Sequence, residues 1–578
     1  MTMQRLAKLM CLFALAAYSV GCGEFKVPLA WVLPNKAGDN PPNNPPDDND
    51  DGGETPDDGS GGGGDDGGDD GDDGGGGSGG GGQVDTRFSG TWIAAYGDDL
   101  PAGLGRRQHV VQLTLSQSNA TVTGSGQMAR FYNTGPVAFD TNPFLLDVNG
   151  TVSGSDATLN LSAVSGSPFT FNPQWIVRYG GNTLVGVFAE KDPNNGSLAN
   201  GGRMGGAQWH RVTSLNPTGD WVASYADAFG GGAFQPRDRT AQLSLTRNPD
   251  STVTGLGSFV EFGTAGGPFP FSFDLVDGGS QLRQVRFTLG NFQPLDGTED
   301  WYTLQTGDVL VGGYSRFNDN DAAVRSGHAT WRRSGAVQSN DYVREWVTAF
   351  GDTQPTGDDG SDFLIAFESI VLNGNAVTGS ARVWDESESS PAFRSFTIEN
   401  GTVVGTNLVL DLVFGNRRFS WDMRIANGTL AGSYRRTGIN DSFQGRGHAE
   451  WGFGSRSNLA GTWAASFFDT YSANLDANQV DDRASQLAVM TISSVDGNGA
   501  VSGTGFLRLA NETTRRNFTI TGQVVAEGVE IVWSGADLFG QTLWQTQKAG
   551  SRLFGTYTNL NDQNGVEQQG HATFLRMN

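Results

Sequence analysis

Aspartate residues recur at one place in four repeated segments of this chain, and their type and position suit ligand chemistry. Each stands six residues after a tryptophan that opens its segment; they are Asp98, Asp227, Asp352 and Asp469. Because side chains alternate between the two faces of a strand, this spacing puts the carboxylate on the face of the tryptophan, just past the strand end. Two interpretations stay open: the carboxylate orients a ligand at the mouth of an apolar cavity, or it forms an Asx turn.

Histidines in a repeated Gly-His-Ala motif are the other side chains that could do chemistry. They are His328, His448 and His571, and the first segment has Gly206 at this position. A zinc site needs three or four convergent ligands, whereas each segment offers one histidine. The histidines also alternate out of phase with the inward aromatic residue that follows. We therefore expect surface histidines on strands, and no metal or cofactor.

Catalytic motifs do not occur in the sequence. There is no Gly-x-Ser-x-Gly elbow, phosphate-binding loop, His-Glu-x-x-His motif or cysteine nucleophile. Carboxylate pairs are frequent, but none recurs at matched spacing beside an aromatic subsite, as a glycosidase would require. We predict no catalytic residues and no enzymatic activity. A hydrolase of extracellular polymers, with a carboxylate pair converging in a cleft, is the enzyme alternative.

Paired tryptophans show that one domain is repeated four times. The opening tryptophans are Trp92, Trp221, Trp346 and Trp463. A second set follows in the same order, namely Trp175, Trp301, Trp421 and Trp544. Each second tryptophan is followed by an aliphatic residue after nine positions, a glycine after eleven and an aromatic ring after thirteen. Because this spacing recurs in all four segments, the fold reduces to that of one domain.

Strand patterns fill each segment. Trp92, Ala94 and Tyr96 share one face, and the other three opening strands repeat this period of two. Each segment holds about eight such strands, with turn signals every 10 to 15 residues. Sequential hairpins without long crossovers favour closure into a barrel, which removes the sheet edges. We predict an all-β protein with four tandem antiparallel up-and-down β-barrels of about eight strands each. A barrel of this size is filled by side chains or holds one small ligand.

A family resemblance follows from these motifs. The opening Gly90-Thr91-Trp92, the Val-Thr-Gly hairpin, the second tryptophan with its glycine and aromatic residue, and the tryptophan of the last strand resemble the avidin family. The resemblance implies that Trp175, Trp301, Trp421 and Trp544 line a ligand pocket. The chain departs from avidins in the first loop, where Ala95-Tyr96-Gly97-Asp98 replaces an Asn…Gly-Ser arrangement. The biotin contacts of that loop therefore do not carry over.

The opening Gly-x-Trp is shared with lipocalins, in which an arginine near the end of the last strand stacks on the opening tryptophan and closes the barrel. The resemblance assigns this role to Arg211, Arg333 and Arg576, opposite Trp92, Trp221 and Trp463. An exposed guanidinium on an indole face contributes about 0.5–1 kcal/mol. The third segment has Phe453 at this position, so we expect a different closure around Trp346.

The N terminus predicts the location of the protein. Arg5 and Lys8 precede a short apolar stretch, and Ser19-Val20-Gly21-Cys22 resembles the lipobox of bacterial lipoproteins. Cys22 has no disulfide partner once Cys11 leaves with the signal. We therefore expect acylation of Cys22. In the lipoproteins that this motif resembles, an aspartate after the cysteine tends to signal retention at the inner membrane, and this chain has Gly23 there instead. We therefore expect a lipid-anchored protein of the outer membrane, on either the periplasmic or the exposed side.

Composition and spacing complete the predicted organisation. The stretch from Ala37 to Gly82 holds fourteen carboxylates and no basic or aromatic residue, which predicts a disordered tether. The predicted parts are a signal peptide at 1–21, a lipid-anchored N terminus at 22–36, a disordered linker at 37–85, and barrels at 86–213, 214–335, 336–456 and 457–578. Short linkers between the barrels predict a semi-rigid rod.

The predicted partners follow from the same features. The net charge of −24 excludes the basic footprint of a nucleic-acid binder. Acyl chains on Cys22 would hold the protein to the membrane. The barrels would bind a small apolar ligand or an envelope or extracellular component, or they would serve as a structural or adhesive spacer with filled interiors.

Overall fold

The computed structural model describes most of the repeated part of the chain. The described ranges are 86–98, 107–131, 140–164, 172–192, 195, 203–230, 236–263, 266–281, 284–293, 297–318, 323–355, 361–388, 391–472, 484–512, 514–538, 540–561, 563 and 565–577. The chain divides into a unit at Met1–Gly79 and a unit at Gly80–Asn578, and every described residue belongs to the second unit. The predicted signal peptide, the predicted acylation site at Cys22 and the predicted disordered tether lie outside the described residues.

The first two barrels each contain eight antiparallel strands in sequence order. Barrel 1 consists of β1 (Gly90–Gly97), β2 (Gln108–Ser118), β3 (Thr121–Phe131), β4 (Asp140–Ser153), β5 (Asp156–Ala163), β6 (Pro173–Tyr179), β7 (Thr183–Glu190) and β8 (Met204–Arg211). Barrel 2 consists of β9 (Gly219–Gly230), β10 (Asp238–Arg247), β11 (Val253–Gly263), β12 (Gly266–Gln281), β13 (Gln284–Gln293), β14 (Thr298–Thr306), β15 (Val309–Phe317) and β16 (Ala323–Ser334).

The other two barrels repeat this order. Barrel 3 consists of β17 (Val347–Gly351), β18 (Gln354–Pro355), β19 (Asp362–Asn373), β20 (Ala376–Asp385), β21 (Arg394–Val404), β22 (Asn407–Phe414), β23 (Arg417–Ala426), β24 (Thr429–Thr437) and β25 (Phe443–Gly452). Barrel 4 consists of β26 (Gly461–Ser472), β27 (Ser485–Val495), β28 (Ala500–Leu509), β29 (Arg516–Val525), β30 (Gly528–Ser534), β31 (Gln541–Ala549), β32 (Arg552–Leu560) and β33 (Val566–Met577). Short 3-10 helices lie at Ser339–Asp341 and Ile439–Asp441.

Each barrel closes where its first strand pairs with its last. Trp92 pairs with Arg211 in barrel 1, and the equivalent pairs close barrels 2 and 4. In barrel 3 the first strand is interrupted, so that β17 and β18 both pair with β25. The prediction of an all-β chain with four tandem antiparallel eight-stranded barrels is confirmed.

Every barrel has its own apolar core, built from the inward side chains of alternating strand positions. The core of barrel 1 is a cluster of buried apolar side chains whose first and last members in the sequence are Phe88 and Trp209. Barrels 2, 3 and 4 have equivalent, separate clusters. Strands on the outer wall, such as β29, alternate between buried and exposed residues. By contrast, β7 and its counterparts are buried on both faces. A strand buried on both faces must pack against a further layer.

That further layer is the neighbouring barrel, and the contacts form a closed cycle. The first two strands of each barrel contact the last strands of the next barrel, and barrel 4 uses β26 and β27 to contact β7 and β8 of barrel 1. The prediction of a semi-rigid rod is therefore wrong. Short linkers allow a rod, but they also allow neighbouring barrels to pack side by side. Packing is favoured because it buries the outward apolar faces of the barrels. A head-to-tail contact repeated four times has closed into a ring.

One interface is used four times. The residue after each opening tryptophan packs against an outward side chain ten positions after the second tryptophan of the next barrel. The four pairs are Ile93 with Val311, Val222 with Ala431, Val347 with Phe554, and Ala464 with Val185. The last pair joins barrel 4 to barrel 1. Ring closure thus uses the same positions as the three contacts between consecutive barrels.

Candidate functional site

The repeated aspartates lie inside the barrels, where their carboxylates accept hydrogen bonds from other core side chains. In barrel 2 the hydroxyl of Tyr314 donates to Asp227 over 2.5 Å. In barrel 3 the hydroxyl of Tyr434 donates to Asp352 over 2.7 Å. Tyr557 donates in the same way to Asp469 in barrel 4. The tyrosine is the aromatic residue thirteen positions after the second tryptophan. The repeated aspartate and the repeated aromatic residue are therefore hydrogen-bonded to each other in these three barrels.

Barrel 1 makes the equivalent contact differently because Phe188 replaces the tyrosine. The Nε2 atom of His109 lies 3.0 Å from Oδ1 of Asp98, and the guanidinium of Arg203 lies 2.5 Å from Oδ2. Burial lowers the pKa of His109 to about 4, although Asp98 opposes this shift. Burial alone would raise the pKa of Asp98, but His109 and Arg203 outweigh it and lower this pKa. A neutral imidazole and an ionised carboxylate are therefore expected at neutral pH.

The backbone contacts of these aspartates differ from those of an Asx turn. The amide of Arg237 donates to Asp227 over 2.8 Å, and the amide of Ala484 donates to Asp469 over 3.2 Å. The donors lie ten and fifteen residues after the aspartate, on the far side of the first hairpin loop. An Asx turn would use a donor two residues on. These aspartates instead bind the backbone just before the second strand of their barrel.

Barrel 2 encloses the most extensive charge cluster. The buried guanidinium of Arg239 lies 2.8 Å from Glu261, 3.0 Å from Glu299 and 3.4 Å from Asp227. Burial opposes the charge of Arg239, but the three carboxylates outweigh burial and hold its pKa well above the usual range. Arg316 and Arg325 complete the cluster through Glu261 and Asp227. Three guanidinium groups thus balance three carboxylates, and each charge has a partner of opposite sign.

Barrel 3 has a small cavity beside its aspartate. It measures about 10 Å³, which is the space of about one water molecule. Apolar and charged side chains line it; the lining residues are Phe363, Val383, Asp385, Glu388, Arg394, Phe396, Arg417, Phe419 and Arg436. Burial raises the pKa of Asp352 to about 6, against the opposing effect of Arg436, which lies 2.5 Å away. This cavity suits a polar atom or a water molecule rather than a drug-sized ligand.

The second tryptophans lie at the centres of the four cores. Around Trp175, ring centroids of Phe188, Tyr96 and Trp209 lie at 4.9, 5.0 and 5.1 Å. Trp301, Trp421 and Trp544 have their nearest aromatic neighbours at 4.7, 4.6 and 4.7 Å. These distances are those of packed aromatic pairs. Trp175 is thus a packed core residue that contacts Tyr96, Phe188 and Trp209.

The opening tryptophans are covered by cations in three barrels. The guanidinium carbons of Arg211, Arg333 and Arg576 lie 5.2, 4.5 and 5.6 Å from the rings of Trp92, Trp221 and Trp463. In barrel 3 the ring of Phe453 covers Trp346 edge-on at 5.0 Å, and Arg344 stacks on Phe453 at 4.1 Å. In barrel 3 a guanidinium therefore covers the opening tryptophan only indirectly, through the ring of Phe453.

The three motif histidines point out of their own barrels but contact the preceding barrel. The Nδ1 atom of His328 lies 2.5 Å from the side-chain oxygen of Gln108, and His448 and His571 meet Asp238 and Asp362 at 3.0 and 2.6 Å. As expected, the histidines lie on strands and point out of their own barrels, but the neighbouring barrel covers part of that outward face, and the side chains of His448 and His571 are 32% exposed. No cluster of three or more His, Cys, Asp and Glu side chains suited to a metal occurs in the described ranges.

Comparisons with known proteins add little to this geometry. No protein-family model matches the chain, and no curated protein matches it. Solved structures with weak similarity include a protein of unknown function from the DUF3598 family of Nostoc punctiforme, with 13% identity over 43% of this chain and 96% of that chain, at a TM-score of 0.15. A double mutant of the vaccine antigen transferrin binding protein B from Haemophilus parasuis shows 9% identity over 84% of this chain and 95% of that chain, at a TM-score of 0.17.

A putative AttH from Nitrosomonas europaea is also similar, with 9% identity over 64% of this chain and 98% of that chain, at a TM-score of 0.16. Identities and TM-scores this low establish neither a shared fold nor a shared function. Among the described residues, no helix is long and apolar enough to cross a membrane.

Proposed function

We propose that this chain is a non-enzymatic, lipid-anchored protein of the bacterial envelope that binds an envelope or extracellular component through the outer surface of its four-barrel ring. The observation that carries the proposal is the packing around the second tryptophans. Other aromatic side chains pack against these tryptophans at centroid distances of 4.6–5.3 Å. Tight packing around these tryptophans favours contact with a partner through the exterior of the barrels.

Three features of the chain support this proposal. The lipobox-like Ser19-Val20-Gly21-Cys22 indicates an anchor, and the acidic stretch that follows is suited to hold the barrels away from it. The interior carboxylates of barrel 2 are bound to guanidinium groups, which leaves none of Asp227, Glu261 and Glu299 arranged as a solvent-exposed acid–base pair. Outer-wall strands such as β21 and β29 expose about every second residue, and so offer a surface to a partner.

The proposal is tested by binding of the full chain to isolated envelope fractions, compared between exterior and interior variants. Leu256 projects from the outer wall of barrel 2 and is 63% exposed. We expect Leu256→Asp, alone or with charged substitutions on the outer walls of the other barrels, to weaken binding. Trp175→Phe keeps an aromatic core residue and serves as the control, for which we expect unchanged binding.

Three outcomes would contradict the proposal. Loss of binding in Trp175→Phe, with retention in the outer-wall variants, would place the ligand inside the barrels. A saturable change in tryptophan fluorescence on titration with small apolar compounds would point to the same conclusion. Turnover of a polysaccharide by the full chain would instead support the hydrolase alternative.

A further inference from the structure

Charged side chains from three barrels meet where the ring contacts converge. The guanidinium of Arg332 in barrel 2 binds both oxygens of Glu450 in barrel 3, with contacts of 3.3, 3.1 and 2.9 Å. Arg552 of barrel 4 approaches the same carboxylate at 3.5 Å. One carboxylate therefore joins two guanidinium groups, and the three residues belong to three different barrels.

Barrel 1 contributes His210 to this group. Alternation along β8 turns Trp209 inward and His210 outward, toward the neighbouring barrels. Burial lowers the pKa of His210 to about 3, and the charges of Arg332 and Arg552 lower it further against the effect of Glu450. The imidazole is therefore neutral at physiological pH. This residue is only 9% exposed.

The group carries surplus positive charge. Arg332 and Arg552 contribute two positive charges, Glu450 contributes one negative charge, and His210 contributes none. Arg332 already uses its Nε and one terminal nitrogen on both oxygens of Glu450, so the contact of Arg552 to that carboxylate is long. A guanidinium offers five N–H donors, and Arg552 approaches Glu450 with one of its terminal nitrogens.

Solvent reaches the charged side chains of the group. The side chains of Arg332, Arg552 and Glu450 are 16%, 19% and 31% exposed, although residues of neighbouring barrels surround them. Guanidinium groups bind the oxygens of phosphate-like anions with paired, charge-assisted hydrogen bonds. A neutral imidazole can add one N–H donor.

We propose that Arg552, Arg332 and His210 form a binding site for a small inorganic oxyanion of the phosphate or sulfate class. The anion would balance the surplus charge and would link barrels 1, 2 and 4, which Glu450 alone does not do. Because the site is assembled from different barrels, anion binding would favour the closed ring over an opened one. The proposal is independent of the partner that the outer walls bind.

The test is isothermal titration of inorganic phosphate into the full chain, in a chloride buffer of matched ionic strength. We expect saturable binding of one phosphate per chain. Arg552→Gln should weaken it at least about tenfold, because charge-assisted hydrogen bonds to the anion are lost. Arg456→Gln is the matched control. Arg456 forms an exposed ion pair with Glu345 at 3.2 Å, and this variant should bind phosphate like the parent.

A second variant changes the charge in the opposite direction. Glu450→Gln removes the only carboxylate of the group and should strengthen phosphate binding, provided that near-ultraviolet circular dichroism shows an intact fold. The proposal is overturned if phosphate does not bind saturably, if Arg552→Gln binds it like the parent, or if folded Glu450→Gln does not bind it more tightly. Equal loss of binding in Arg456→Gln and Arg552→Gln would also overturn it, because screening by surface charge would then explain the result.

Discussion

Replacing Trp301 by alanine separates a packed barrel core from a lined ligand pocket. Truncation of a fully packed tryptophan costs about 3–5 kcal/mol of unfolding free energy. Trp301 also donates from Nε1 to Glu299 over 2.8 Å, so the substitution leaves that buried carboxylate with one partner fewer. A hydrogen bond to a charged group contributes about 1.5–3 kcal/mol. We therefore expect a cost at the upper end of the range, about 5 kcal/mol.

Scanning calorimetry of the full chain measures this effect. A loss of about 5 kcal/mol should lower the melting temperature of barrel 2 by on the order of 10–20 °C. Barrels 1 and 3 should follow with smaller shifts, because unfolding of barrel 2 exposes the faces that they bury against it. Phe269→Ala is the control. Phe269 is 39% exposed and contacts Arg237 at 5.8 Å, so its loss should cost below about 1 kcal/mol.

The contrary result is equally specific. If Trp301→Ala costs less than about 1 kcal/mol, the tryptophan is not a core residue and the barrel interior is open. If the melting temperatures of all four barrels fall by the same amount, the barrels share one core rather than four separate ones.

Three further predictions follow from the charges and the anchor. Arg239→Gln leaves three carboxylates of barrel 2 without their shared cation and should cost about 3–5 kcal/mol in denaturant unfolding, against about 1 kcal/mol for Arg333→Gln, which loses a partly exposed contact with Trp221. Burial raises the pKa of Asp422 from 3.8 to about 6, so the stability that this group contributes is present below about pH 4 and is lost as the pH rises to about 6. Asp422→Asn should reduce this pH-dependent loss of unfolding free energy by on the order of 2–3 kcal/mol, and an unchanged pH profile of stability would contradict the assignment. Cys22→Ala should abolish incorporation of labelled fatty acid and release the protein from membranes, whereas persistent membrane association would mean a different anchor.

The barrel fold could be predicted because the repeat supplies the same pattern four times. The period of two along Trp92, Ala94 and Tyr96 fixes an inward face, and four equivalent strands remove the ambiguity of a single short strand. The spacing between the second tryptophan and the aromatic residue thirteen positions later is a register constraint, since Trp301 and Tyr314 face each other on neighbouring strands.

The ring could have been predicted in part from strand composition. In β7, the run Leu184-Val-Gly-Val-Phe-Ala189 contains no polar residue, which is typical of a strand that is buried on both faces. That signal indicates a covering layer, but it does not identify the layer as barrel 4. The identity of the neighbour depends on the rotation between consecutive barrels, which short linkers do not encode.

The partners of the repeated aspartates could not be predicted from sequence either. Asp227 contacts Tyr314, which is 87 residues away in the sequence, and the guanidinium of Arg239. Barrel 1 has no guanidinium at the position equivalent to Arg239. Barrel 1 uses His109 in place of the tyrosine. Each barrel thus satisfies the same buried carboxylate with different donors, so no single residue pattern marks the contact.

The most direct test of the closed ring is a disulfide between barrel 1 and barrel 4. A Cβ atom placed on Gly206 would lie 3.1 Å from Cβ of Ser466. Disulfides need about 3.5–4.5 Å, so a shift of a few tenths of an ångström allows the bond. With Cys11 and Cys22 replaced by alanine, Gly206→Cys/Ser466→Cys should form an intramolecular disulfide under mild oxidation, and each single variant should not. Failure of the folded double variant to form this bond would show that barrels 1 and 4 do not meet, and the ring would be wrong.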